Sequence, residues 1–377
     1  MIDLQEIRNQ IDEIDDDILK LFEKRMHLTG EVAQFKIETG KQVFDKEREL
    51  QKLKVLKDKA SGDFNAKGVQ ELFQQIMSIS RKRQYQLLTE NGVAVKSDFR
   101  EVKKLPTDQA RVVFQGVEGA YSFAATHTYF GESVDSFHVE TWRDAMDAIA
   151  DGRAEYAVLP IENSTAGIVA DIYDLLVEYQ HNIVAQQIIR AEHVLMGVPG
   201  SSTADIRTVY SHPQALRQCR KYLDEHPGWK EVELLNTAVA AKKVKEDADI
   251  SQAAIASRQA AEHFGLAVLN DRVFYSETNS TRFIIVSGKK IYTSDADKIS
   301  ICFELPHESG TLYNILAHFI YNDLNMTKIE SRPLPEKNWE YRFFVDFEGN
   351  LNDSAVKNAL RGIEQEASAL RVFGNYR

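Results

Sequence analysis

The sequence predicts a multidomain protein that passes through three fold classes: an all-α unit over residues 1–90, an α/β unit over 110–288 and an α+β unit over 298–377, with 91–109 as a linker. Three patterns predict this. Apolar residues recur at spacings of three and four through the first 35 residues. Strand–loop–helix alternation then runs from ARVVFQG to TRFIIVSG. From Lys298 the order becomes strand, helix, strand, strand, helix, as in a ferredoxin-like domain. A length of 377 residues fits two or three domains, and 43% hydrophobic with 27% charged residues fits a soluble globular protein.

The first element is a helix from Asp3 to Thr39, stopped at Gly40. Its apolar seam is Leu4, Ile7, Ile11, Ile14, Ile18, Leu21, Leu28, Val32 and Phe35, and the seam position between Leu21 and Leu28 holds Arg25. A guanidinium in a buried stripe is costly unless an anion meets it, either a carboxylate of the protein or a substrate. At 1.5 Å per residue the helix is roughly 55 Å long. A unit of 90 residues cannot cover that length, so an intertwined homodimer is expected. Asp45 is the N-cap of a second helix, Lys46–Lys59; SGDFNAKG reads as a loop, and a third helix runs from Val69 to Leu88. At about 100° per residue, Arg25 and Lys36 share a face, whereas Arg8 lies about 100° away and reaches the pocket of a dimer partner instead. Arg48 and Glu49 are adjacent on the second helix, and Ser80 and Gln84 share a face of the third.

These residues resemble the all-helical class of chorismate mutase. The resemblance implies that Arg25, with Arg8 from the partner chain, clamps two substrate carboxylates. It implies that Lys36 and Gln84 face the ether oxygen and that Glu49, helped by Asp45, holds the ring hydroxyl. Arg48 and Ser80 would line the pocket. The residue types suit a pericyclic rearrangement, which needs no nucleophile. It needs a flexible substrate held in a reactive chair and donors aimed at a polarising ether.

In the α/β unit, GVEGAYS follows a strand and opens a helix, whose N-terminus favours an anion. It is not GxGxxG, which disfavours a nicotinamide site. PIENSTAG reads as a loop carrying a carboxylate, an amide and two hydroxyls between a strand and a helix. SHPQ puts Pro213 at a first helical position, with Gln218 and Cys219 in the first turns; Cys219 reads as a packed small hydrophobe. NSTRF opens an apolar strand with Thr281 and Arg282 at its mouth.

PIEN, SHPQ and TRF in this order resemble the prephenate dehydratase domain, which implies two lobes like a type II periplasmic solute-binding protein with the site in the cleft. By that resemblance Thr281 donates a proton to the departing ring hydroxyl, with Glu162 as the alternative acid. Asn163 and Gln218 orient the substrate and Arg282 helps hold a carboxylate. Ala120, Tyr121, Ser122, Ser164, Thr165 and Ser211 complete the pocket.

In the last unit, Gly310, Thr311 and Leu312 at a strand-to-helix turn, with the run Glu330-Ser331-Arg332-Pro333, resemble an ACT domain of the phenylalanine-sensing kind. The three resemblances together imply a bifunctional chorismate mutase/prephenate dehydratase that takes chorismate and prephenate as substrates and phenylalanine as allosteric effector. They imply no cofactor and no metal.

Composition sets the remaining bounds. A net charge of −11 argues against nucleic-acid or anionic-membrane partners. Two cysteines are too few for a disulfide scaffold. The charged, amphipathic N-terminus is not a signal peptide and no apolar run approaches a membrane span, so the cytoplasm is the expected compartment. A solute sensor without chemistry could use the same two lobes, but it would leave Arg25 on the helical seam unexplained.

Overall fold

The computed structural model describes residues 3–93, 97–274, 279–334 and 340–377. Residues 94–96 of the expected linker and Trp339 of an expected strand lie outside them. The chain divides into two units, Met1–Asp98 with Ala296–Val372, and Phe99–Asp295 with Phe373–Arg377.

In the first unit, helix α1 runs Leu4–Thr39. Asp3 caps it by accepting from the N–H groups of Gln5 and Glu6. Gly40 ends it at φ 69°, a left-handed geometry that returns its N–H to Lys36 O at 2.9 Å. Helix α2 runs Lys46–Lys59 behind the Asp45 cap. Helix α3 runs Asp63–Glu90, six residues earlier than its apolar pattern predicts. Its start is hard to read because Gly62 supplies no capping side chain and Gly68 falls in its first two turns.

α1 meets α3 through Thr29 and Ala33, both buried. The apolar seam points elsewhere and stays open: Leu21 is 67% exposed and Ile14 58%. A small core here joins Ala33 of α1, Val43 of the following loop, and Tyr85 and Leu88 of α3.

The C-terminal module is a four-stranded sheet in the order Met326–Pro333, Tyr341–Glu348, Lys298–Glu304, Ala369–Tyr376, of which all but the last strand's residues from Phe373 belong to the same unit. Helices Thr311–Tyr321 and Ser354–Glu366 connect its strands. Helix Ser354–Glu366 packs on α3, burying Arg81, Lys82, Tyr85 and Leu88 on one side and Ala359, Leu360 and Ile363 on the other. The sequence reading treated the helical and C-terminal segments as separate domains. Their contact is long-range in sequence and leaves no local pattern.

The second unit has two lobes. The first sheet has the path Asp135–Val139, Arg111–Gln115, Tyr156–Asn163, Ser280–Ser287, Asn182–Arg190. Its first three strands are parallel, and the pairings beyond them are antiparallel. The second sheet has the order Ala267–Asn270, His193–Gly197, Gln252–Ser257, Thr208–Ser211, Lys230–Glu233. The chain leaves the first sheet after Arg190 and returns to it at Ser280. Apolar strands such as YAVLPI are buried on both faces, as parallel-sheet strands are. The expected linker 91–109 contains a short strand, Arg100–Val102, which pairs in parallel with Ile291–Thr293. A strand of three residues is too short to show a period.

The last strand ends in close quarters. Gln186 N–H donates to Arg377 O at 3.1 Å, and a Cβ placed on Gly374 would lie 1.9 Å from Ile183 O. Both partners are backbone and neither can rotate away. Gly374→Ala is expected to lower the urea midpoint of the protein, with an overpacking cost of about 1–3 kcal/mol.

Candidate active sites

A cavity of about 740 Å³ is bounded by α1, α2 and the C-terminal half of α3. Arg25, Lys36, Asp45, Arg48, Glu49, Ser80 and Gln84 line it. Of the residues expected there only Arg8 is absent; it is exposed on α1, about 25 Å along the helix from Arg25.

The Arg25 guanidinium donates to Ser80 Oγ and toward Ile76 O (3.4 Å). Among the described residues no carboxylate lies within ion-pair distance of it. Burial pushes its pKa below the ordinary arginine value, and the charge of Glu49 acts in the opposite direction. Lys36 donates to Val43 O at 2.8 Å, which uses one of the three donors of its ammonium. Burial lowers the Lys36 pKa; Asp45 and Glu49 oppose this, and Arg48 adds to it. Gln84 is buried, donates to Ser80 O at 3.2 Å, and has no partner for Oε1. The Ser80 hydroxyl turns back to Ile76 O at 2.7 Å.

Glu49 is held by Arg81, a residue the sequence reading passed over. Arg81 also donates through Nε to Glu366 at 2.9 Å and lies 4.8 Å over the Phe44 ring. Burial works against its charge, but Glu366 and Glu49 outweigh it and its pKa lies above the ordinary arginine value. The signal was present: Met77, Arg81, Tyr85 and Leu88 repeat at four, four and three, so Arg81 interrupts a buried stripe.

In the second unit the site residues gather where strands of the two lobes end. PIENSTAG is not a loop throughout: the strand continues to Asn163, a turn covers 164–166, and Gly167–Ile168 folds back on Glu162–Asn163. The register sets Thr281 opposite Asn163 and Arg282 opposite Glu162. Arg282 and Glu162 form an ion pair at 3.0 Å.

Neutral groups form a chain across the cleft. Asn163 Nδ2 donates to Thr281 Oγ1 and Asn279 Oδ1, each at 3.0 Å. Thr165 Oγ1 donates to Asn163 Oδ1 at 2.8 Å, and Gln218 Nε2 donates to Thr165 Oγ1 at 2.9 Å. Gln218 Oε1 accepts from Asn279 Nδ2 at 3.0 Å and lies 2.9 Å from His193 Nε2. His193 Nδ1 in turn lies 2.9 Å from the Tyr121 hydroxyl. Burial pushes the His193 imidazole below the usual histidine range despite the Gln218 contact, so the ring is neutral at neutral pH. Since Gln218 presents oxygen, His193 Nε2 carries the hydrogen and Nδ1 accepts from Tyr121. Burial raises the Tyr121 pKa, which keeps its phenol protonated. Every donor direction then agrees, and Thr281 Oγ1 accepts at the end of the chain with its own hydrogen uncommitted among the described residues.

Sequence reasoning missed His193 and Asn279. His193 lies outside the motif runs and Asn279 opens the NSTRF run, where only Thr281 and Arg282 stand out; the two-lobed topology brings both to Gln218. Ser122 Oγ donates to Gln115 O at 2.5 Å and Ser211 Oγ to Ile255 O at 2.6 Å, so these buried hydroxyls brace backbone. Ser164 Oγ accepts from Ser280 N–H, and Ala120 is the N-cap of the helix that Tyr121 begins. Pro213 opens a helix that ends at Gln218. Cys219 is fully buried, with its thiol pushed up to about 12 by burial, as suits a packed residue.

In the C-terminal module Gly310 takes φ 83° as the N-cap of helix Thr311–Tyr321, and Leu312 is half-buried in its first turn. The Thr311 hydroxyl lies within hydrogen-bond distance of Pro306 O and Glu308 O. Glu330, Ser331, Arg332 and Pro333 lie on the strand that closes one edge of the sheet.

Comparison with known proteins finds relatives of both regions. Residues 7–85 match the type II chorismate mutase family and residues 112–291 the prephenate dehydratase family. The chain is 31% identical to a bifunctional chorismate mutase/prephenate dehydratase of Pseudomonas aeruginosa, covering 99% of this chain and 97% of that protein. It is 30% identical to the Escherichia coli protein of the same description, covering 98% and 95%. Among solved structures, the prephenate dehydratase of Arthrobacter aurescens in complex with L-Phe is 31% identical with a TM-score of 0.66, covering 71% of this chain and 89% of that one. A protein described as a quorum-quenching acylase is 33% identical with the same TM-score, covering 71% and 96%. The two family matches cover the helical region and the two-lobed region in turn, the likeness to known relatives runs along nearly the whole chain, and the chain belongs to the bifunctional chorismate mutase/prephenate dehydratase family.

Proposed function

We propose specific residue roles for the two reactions of this enzyme, which isomerises chorismate to prephenate and then converts prephenate to phenylpyruvate with loss of water and carbon dioxide. The observation that carries the mutase assignment is the convergence of Arg25, Lys36, Arg48, Glu49, Ser80 and Gln84 on one cavity. Arg25 binds one carboxylate of chorismate, and Arg8 of a second copy binds the other. Lys36 and Gln84 stabilise the charge that develops on the ether oxygen. Glu49, with Asp45 nearby, receives the ring hydroxyl. The homodimer follows from the exposed seam of α1, which a second copy of the same helix covers.

For the dehydratase, Thr281 donates the proton to the leaving hydroxyl, at the end of a hydrogen-bond chain whose polarity leaves its O–H for the cleft. Asn163 and Gln218 orient the substrate. Glu162 is the weaker candidate, since an ion-paired carboxylate is a poor acid. The order of strands and helices in the C-terminal module fits a ferredoxin-like ACT domain. Its Gly310 turn and its Glu330–Pro333 edge strand fit a phenylalanine site completed by another domain. Inhibition follows if phenylalanine binds one state of the enzyme better than the other. No described helix is long and apolar enough to cross a membrane, and the proposed setting is the cytoplasm.

Four outcomes are expected. Supplied with chorismate, the protein forms phenylpyruvate, and phenylalanine slows that flux; accumulation of prephenate alone would leave only the mutase. Thr281→Ala lowers dehydratase kcat by about 100-fold or more while mutase turnover is kept. Because Lys36 acts protonated and its pKa is lowered, mutase kcat/KM falls as pH rises through a value below the ordinary lysine pKa of about 10.4, and Lys36→Arg removes that limb. A paired substitution Ile14→Asp/Leu21→Asp yields a monomer in sedimentation that has lost mutase activity.

A further inference from the structure

Arg81 is the most completely enclosed cation of the helical region, and its surroundings join the mutase cavity to the C-terminal module. One face of its guanidinium meets Glu49, which lines the cavity, and Nε meets Glu366 on helix Ser354–Glu366. Glu366 Oε1 is also 3.1 Å from Nε2 of His318, a residue of helix Thr311–Tyr321 that is 1% exposed. The preceding residue, Gln365, accepts from the Tyr85 hydroxyl at 3.0 Å and from Phe44 N–H at 3.1 Å.

The close approach of His318 is built into the sequence of the module. A Cβ on Gly362 would lie 2.2 Å from His318 Cε1. Glycine in a helix interior is unfavourable relative to alanine, and here it makes room for the imidazole that braces Glu366. The cavity's carboxylate is therefore the last member of a relay, Glu49–Arg81–Glu366–His318, whose first two members belong to the helical region and whose last two belong to the module.

We propose that Arg81 is a positioning residue for the mutase reaction: it holds the Glu49 carboxylate toward the substrate, and its own plane is fixed by Glu366 and His318, which makes the C-terminal module part of the support of the mutase site. An arginine suits this place because its planar fork can bond two carboxylates in fixed directions, which a lysine cannot. The relay also gives the module a physical handle on mutase turnover, since any shift of helix Ser354–Glu366 is transmitted to Glu49 through charged hydrogen bonds in a buried setting.

The inference rests on the reading of Glu49 as a substrate contact, and the test separates the two. Mutase and dehydratase kinetics are measured on the full-length Arg81→Gln, Arg81→Lys, Glu366→Gln, Glu49→Gln and Glu49→Gln/Arg81→Gln proteins. Arg81→Gln is expected to lose about 10- to 100-fold in mutase kcat/KM, the scale of a misplaced active-site group, with dehydratase turnover on prephenate unchanged. Arg81→Lys recovers part of the loss, and Glu366→Gln loses about 3- to 10-fold. The double variant is no more than about 2-fold worse than Glu49→Gln alone, because the two residues act as one. Losses that multiply in the double variant, or full mutase turnover in Arg81→Gln, overturn the inference alone. Full turnover in Glu49→Gln overturns the reading beneath it, and the inference with it.

Discussion

A guanidinium half withdrawn from water without a carboxylate to meet it is the constraint on which the helical site depends. Arg25 and Arg81 pose the same physical problem, a helix-borne guanidinium drawn out of water, half-buried in the first and buried in the second, and the fold answers it in two ways. Arg81 is met by two carboxylates of the chain. Arg25 is met by a serine oxygen and a backbone carbonyl, both neutral. A buried charge left with neutral partners retains a demand for an anion. With Lys36 on the same wall, that demand suits the dianionic substrate proposed for this cavity. The rearrangement needs a held conformation and a stabilised ether oxygen, which fixed cations supply without proton transfer.

The dehydratase site works by a different principle. It collects amides, hydroxyls and a neutral imidazole into one hydrogen-bond chain, beside the ion pair of Arg282 with Glu162. In such a chain each group's donor direction is fixed by its neighbours, and burial of Tyr121 and His193 fixes the far end. A threonine is a weak acid by its ordinary chemistry. What the site offers it is orientation in a cleft between two lobes, together with a reaction made strongly downhill by formation of an aromatic ring.

Much of this was legible in the sequence where the determinants are local. Asp3, Gly40 and Asp45 mark the ends of α1 and the start of α2 because capping is a matter of neighbouring backbone groups. The cavity residues were legible because helical spacing places them on shared faces. The PIEN, SHPQ and TRF runs come together between the two lobes, although PIEN proved to be strand because its partner, Ser280–Ser287, is more than a hundred residues away. The rest required long-range contact. His193 and Asn279 reach Gln218 only through the crossing of two lobes, and Arg81 gains its meaning from Glu366, a residue 285 positions along the chain. The start of α3 was hidden by Gly62 and Gly68, whose local preferences oppose the helix that packing imposes.

The central claim is that Arg25 is kept for an anion from outside the chain. Its most direct test is calorimetric titration of the wild-type protein and Arg25→Gln with a rigid bicyclic dicarboxylate shaped like the chair of the rearrangement. The account predicts tight binding by the wild type and a loss of about 100-fold or more in the variant, roughly 2.7 kcal/mol. Binding that is the same within a few-fold in both proteins would contradict it.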